Sequence, residues 1–156
     1  MTDDALQSQE PAEHLRFRAY LSALEQVTDA DEPGLIREVL ADPGQMMAAS
    51  AVLRHLDHRA SALHLGPDYV PWAEMMTQAT TGSPFLGQRL HEWSLLRAVA
   101  LGQPWHPDTL LGSSNWLQLT MATTSNTDAV SLLAEQGRTK RIRSTAKTTL
   151  QRHSSH

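Results

Sequence analysis

Between Pro11 and Val27 the residues Phe17, Tyr20, Leu21, Leu24 and Val27 recur on one face of a 3.6-residue period, with Arg18, Ser22, Glu25 and Gln26 opposite. This spacing predicts an amphipathic helix that Pro11 opens at its first turn and Thr28-Asp29-Ala30-Asp31 stops. A short helix follows over 33–41 with Leu35, Ile36, Val39 and Leu40, broken by Asp42-Pro43-Gly44. Further helices are expected over 45–63, 68–80, 84–101, 113–123, 128–136 and 139–151. Leu65-Gly66-Pro67, Thr81-Gly82-Ser83-Pro84, the connector 102–107 and Gly137 separate them. No stretch alternates apolar and polar residues between hairpin turns, so no strand is expected. The fold class is all-α, as stacked antiparallel helical hairpins in a short solenoid, with an irregular helical bundle as the alternative. Residues 1–10 lack periodicity and read as a flexible tail, 11–151 as a single helical domain and 152–156 as a second tail.

Two stretches share a pattern. Val39-Leu40-Ala41-Asp42-Pro43-Gly44 leads into Met47 and Ala51, and Leu132-Leu133-Ala134-Glu135-Gln136-Gly137 leads into Ile142 and Ala146. In both, an apolar pair ends a short helix, a polar turn follows, and the next helix presents an apolar residue with Ala one turn later. Met47 and Ile142 lie 95 positions apart, roughly two units of the period of about 40–47 residues seen in helical-repeat arrays. The chain thus resembles the HEAT-like repeat proteins, whose unit carries Asp-Pro in the turn and Val-Arg at the start of the second helix. Asp42-Pro43 matches the turn where Met47-Ala48 departs from Val-Arg; Ile142-Arg143 matches Val-Arg where Glu135-Gln136 departs from Asp-Pro. The resemblance covers about 50 of the 156 residues and implies a ladder of Asp–Arg contacts along a stack.

Composition narrows the class. Hydrophobic residues make up 40% and charged residues 19%, with no apolar run long enough to span a bilayer, so a protein free of the membrane and cytoplasmic is expected. The absence of Cys excludes disulfides, thiolate catalysis and Cys-ligated metal. Arg outnumbers Lys by 11 to 2, a bacterial-like composition. The net charge of −4 is unevenly spread. Residues 1–32 hold eight acids against Arg16 and Arg18, whereas after Glu135 only bases occur. The split suggests a polar partner surface, or two copies meeting as a homodimer.

Catalytic signatures are missing: there is no Gly-rich phosphate loop and no Gly-x-Ser-x-Gly turn. His91-Glu92 begins like a zinc-protease helix, but Leu95 stands where the second His belongs. His55-Leu56-Asp57-His58 lacks further ligands, so no metal and no cofactor are expected and no catalytic residue is assigned.

Helical phase exposes an anomaly. On helix 45–63, Ala48, Ala51, Val52, Ala62 and Leu63 mark the apolar side, and His55 and Arg59 fall in its middle. On helix 84–101, Arg97 sits in the stripe of Leu86, Leu90, Trp93 and Ala100. A buried unpaired guanidinium costs several kcal/mol, so these cations must find carboxylates inside the fold or open onto a ligand groove. In the last helix Ile142, Ala146 and Leu150 form the seam, flanked by Lys140, Arg143 and Lys147. Trp105, between prolines and beside His106 and Asp108, is a candidate anchor.

The expected function is a non-enzymatic interaction module that binds a partner protein through a concave helical face. Its contacts are His55, Arg59, Arg97, Trp105, Lys140, Arg143 and Lys147. The alternatives are a nucleic-acid binder using residues 138–152 and a small HEAT-like enzyme acting on DNA, which would join Trp105, His106 and Asp108 to an Arg.

Overall fold

The computed structural model describes the backbone of residues 2–154 and the side chains of residues 12–154. The tail expected over 1–10, and the last two residues of the one expected over 152–156, lie outside the residues whose side chains are described. Within the described residues the protein is all-α. Nine helices run in the order α1 Thr2–Gln26, α2 Glu32–Leu40, α3 Gln45–Leu63, α4 Tyr69–Ala79, α5 Pro84–Ala100, α6 Pro107–Leu111, α7 Asn115–Met121, α8 Thr127–Gln136 and α9 Lys140–Ser154. None is long and apolar enough to cross a membrane. The chain divides within α5 into two compact units, Met1–Leu90 and His91–His156.

In the first unit α1 and α2 pack on α3, and α2 also packs on α4. The predicted apolar faces supply the core: Leu24 of α1, Ile36 and Val39 of α2, Ala48, Ala51, Val52 and Leu56 of α3, and Trp72 and Met76 of α4 are buried. Ala at three stations of α3 keeps that helix slim, so two helices can approach it closely. Ala62 is exposed and Leu63 half-buried, because the last turn of α3 runs past the core that its middle covers. The bidentate pair of Arg89 with Asp57, at 2.8 and 2.7 Å, ties the start of α5 to α3.

In the second unit α8 and α9 form a close hairpin, with α7 against α9 and α6 against α8. Ile142 and Ala146, the predicted seam of α9, are buried with Leu117, Met121, Val130 and Leu133. Thr149 is also buried, and Leu150 is half-buried. Gly137 is required at this corner. A Cβ there would stand 2.6 Å from the Leu133 carbonyl oxygen and 2.7 Å from Ile142 Cγ2. Ser114 caps α7 by accepting the Leu117 N–H at 3.3 Å, and Glu92 anchors that cap by accepting the N–H of Ser114 at 2.8 Å and its hydroxyl at 2.6 Å. The helix α6 fills the stretch left between the connector expected over 102–107 and the helix expected over 113–123, and Pro107 opens it at its first position.

Candidate functional site

The cations on the apolar face of α3 converge on one carboxylate. Glu32 opens α2, where the helix dipole favours an acid, and packing of α2 on α3 and α4 leaves it 1% exposed. His55 Nε2 lies 2.6 Å from Glu32 Oε2, and since a carboxylate only accepts, Nε2 carries the proton. Arg59 donates Nε to the same oxygen at 3.2 Å and Nη2 to Asp29 at 2.9 Å. Trp72 donates Nε1 to Glu32 at 3.1 and 3.3 Å. The Arg59 guanidinium lies 5.9 Å from the Trp72 ring centroid, within cation–π range. Burial pushes the Glu32 carboxyl up, but the hydrogen bonds from His55, Arg59 and Trp72, with the charge of Arg59, outweigh it and hold it below its usual value.

A second carboxylate organises the α2–α3 turn. Asp42 accepts the Gly44 N–H at 2.8 Å, the Tyr20 hydroxyl at 2.6 Å, and Arg16 Nε and Nη2 at 3.0 and 3.2 Å. Arg16 first, then Tyr20 and the Gly44 N–H, lower its carboxyl to about 2. Pro43 sets the turn and the Asp side chain closes it, so α1 is clamped to the start of α3.

The other candidates are placed separately in the second unit. Arg97 is half-buried on α5. Arg143, also half-buried, donates Nη1 to the Gly137 carbonyl at 2.8 Å and so secures its own turn. Lys140 and Lys147 are exposed on α9. Trp105 is half-buried beside a cavity of about 490 Å³ lined by Gly102, Gln103, Pro104, Pro107, Asp128 and Leu132. His106 and Asp108 point into solvent, 74% and 90% exposed and 4.0 Å apart. Among the described residues no group of three or more His, Asp or Glu could hold a metal ion.

Several features escape the periodicity. A groove of about 520 Å³ in the first unit runs between the end of α2, the start of α3 and the α4–α5 corner. Leu40, Ala41, Ala49 and Ala79 line it, with Arg37 on its rim, and Met46 and Phe85 flank it at 88% and 58% exposure. A second cavity, of about 310 Å³, adjoins His55 between α1 and α3. In the second unit Gln118 is fully buried. It donates Nε2 to the Leu110 and Leu111 carbonyls at 3.1 and 3.0 Å and accepts the Arg138 N–H at 2.9 Å. The signal for Glu32 is its place before Pro33 together with two cations on a face that must be buried. Gln118 has no comparable signal, since its partners are main-chain groups.

Compared with protein-family models, with curated proteins and with solved structures, the chain matches none.

Proposed function

We propose that this protein is a non-enzymatic interaction module that binds a partner protein through the groove flanked by Met46 and Phe85. The observation that carries the reading is the exposure of these two large apolar side chains on one concave apolar surface. Leaving them in water forgoes about 25 cal/mol for each Å² a partner would cover. Paired exposure at a groove therefore marks a contact surface better than scattered single residues do. Met adapts its unbranched chain to a partner's shape and Phe supplies rigid area. The matching segment offers apolar anchors and a carboxylate for Arg37. The row His55, Arg59, Arg97, Arg143 and Lys147 was expected on a concave face. We assign His55 and Arg59 to the Glu32 node, which leaves the groove as the better contact. The HEAT-like identity of the hairpins is part of this proposal, supported by the Asp42–Gly44 turn.

A photo-reactive amino acid at position 46, introduced in cells of the native host, should crosslink to one discrete protein species. Phe85→Asp should abolish that crosslink while leaving the melting temperature unchanged. A crosslink pattern that Phe85→Asp does not alter overturns the reading.

One observation favours a second reading. The second unit carries four acids against seven bases, and Lys140, Arg141, Lys147 and Arg152 are exposed on α9. Such a stripe suits phosphate contacts whose strength falls steeply with salt. Retention on nucleic acid at moderate salt, lost in the triple variant Lys140→Ala, Arg143→Ala, Lys147→Ala, would support it; no retention of the wild type removes it.

A further inference from the structure

The helix α1 is anchored more lightly than its neighbours in the first unit. Over its described residues 12–26 only Leu24 is fully buried, whereas the shorter α2 buries Glu32, Ile36 and Val39 and α4 buries Tyr69, Trp72, Met76 and Ala79. Phe17, Tyr20 and Leu21, which complete its apolar face, stay half-buried. Two hollows separate that face from α3. Phe17 looks towards Met47 and Ser50 across about 380 Å³, and Leu21 and Leu24 look towards Arg54 and His55 across about 310 Å³. Side chains bordering a hollow have no neighbours on that side and forfeit the dispersion contacts of a packed interface.

The remaining hold is polar and concentrated at one point. Among the described residues, every side-chain hydrogen bond that leaves α1 ends on Asp42: the Tyr20 hydroxyl at 2.6 Å and Arg16 Nε and Nη2 at 3.0 and 3.2 Å. Asp42 is itself fixed by the Gly44 N–H. Past Gln26 the chain is non-helical until Glu32, whose buried node pins the start of α2. Residues 27–31 therefore join a lightly packed helix to a fixed point. Few buried apolar contacts and a single polar tie mark a segment that opens well below the free energy of global unfolding.

We propose that α1 is a strap, latched at Asp42 and hinged at residues 27–31, that releases from α3 as a unit and uncovers Met47, Ala51 and His55. These three are buried and four residues apart in turn, so they form one stripe along α3. Met47 and His55 border the two hollows, and Ala51 lies midway between them. Most helical stability comes from packing, so a released α1 also loses the protection of its own amides.

The test is native-state hydrogen exchange on the whole chain, read amide by amide. Residues 17–26 should exchange through one common opening, faster and with a weaker dependence on urea than the middle of α3. Tyr20→Phe keeps the ring and removes a hydrogen bond to a charged acceptor, so it should speed exchange in α1 about tenfold or more. The chain has no Cys, so a thiol introduced by Ala51→Cys reports the uncovering of α3, and Tyr20→Phe should raise its labelling rate by the same factor. If Ala51→Cys does not fold, the exchange data decide alone. Exchange graded from the N-terminal end, an opening shared with α2 and α3, α1 amides that Tyr20→Phe leaves unchanged, or a thiol labelled only on global unfolding would each overturn the proposal.

Discussion

In the first unit the deepest polar group is the Glu32 carboxylate, which gathers an imidazole, a guanidinium and an indole N–H from α3 and α4. In the second it is the Gln118 amide, whose partners are two carbonyls at the end of α6 and the Arg138 N–H before α9. Both nodes join elements distant in sequence, and both leave no buried side-chain polar atom unpaired among the described residues. They differ in what sustains them. A buried carboxylate is held only while its cations remain, since each partner lost leaves charge in a medium that solvates it poorly. An amide carries no net charge and answers to geometry alone. The Glu32 node should therefore respond to pH and to charge removal where the Gln118 node does not.

The sharpest break of that contrast is Glu32→Ala. It strands His55, Arg59 and the Trp72 N–H, and should cost about 3–5 kcal/mol in denaturant unfolding. A loss below about 1 kcal/mol would mean that water replaces the carboxylate and that the node does not hold the unit. Gln118→Leu keeps the volume but orphans main-chain groups. A smaller loss is expected there, about 1–3 kcal/mol, with no dependence on pH.

Acid sharpens the comparison further. Glu32 and Asp42 both sit below their usual values. Their contribution is therefore complete above the unfolded carboxyl values of about 4. It fades as the pH falls, in the case of Asp42 towards about 2. Amide protection in α2 and α3 should consequently decline between about pH 5 and about pH 2 more than protection in α8 and α9. Equal declines would contradict the division of labour. The smallest effect expected is that of Asp29→Asn. Asp29 is 87% exposed and pairs with Arg59 from solvent, so thermal melts should register no more than about 0.5 kcal/mol.

The helices were legible because Pro and Gly punctuate them: Asp42-Pro43-Gly44 and Thr81-Gly82-Ser83-Pro84 mark breaks found within a residue or two of their places. The five-residue α6 escaped because a single turn shows no periodicity, leaving Pro107 as its one local sign. The demand for a carboxylate opposite His55 and Arg59 was also legible, as an energetic requirement. Its source was not, because Glu32 reads as one acid among several around a turn, and only the packing of α2 against α4 sets it inside. Gln118 is the harder case. Its burial depends on where α6 ends and α9 begins relative to α7, a relation that no local pattern encodes. The Met46–Phe85 groove is likewise a product of four helix ends meeting, each of which looks ordinary alone.

The indole of Trp72 has a use of its own. Its N–H reaches the Glu32 carboxylate and its ring lies near the Arg59 guanidinium, whereas Trp93 and Trp116 stand together in the other unit, 5.5 Å between centroids. With Trp93, Trp105 and Trp116 replaced by Phe, the remaining emission becomes an optical gauge of one half of the molecule. Loosening of that half can then be timed separately from events elsewhere in the chain.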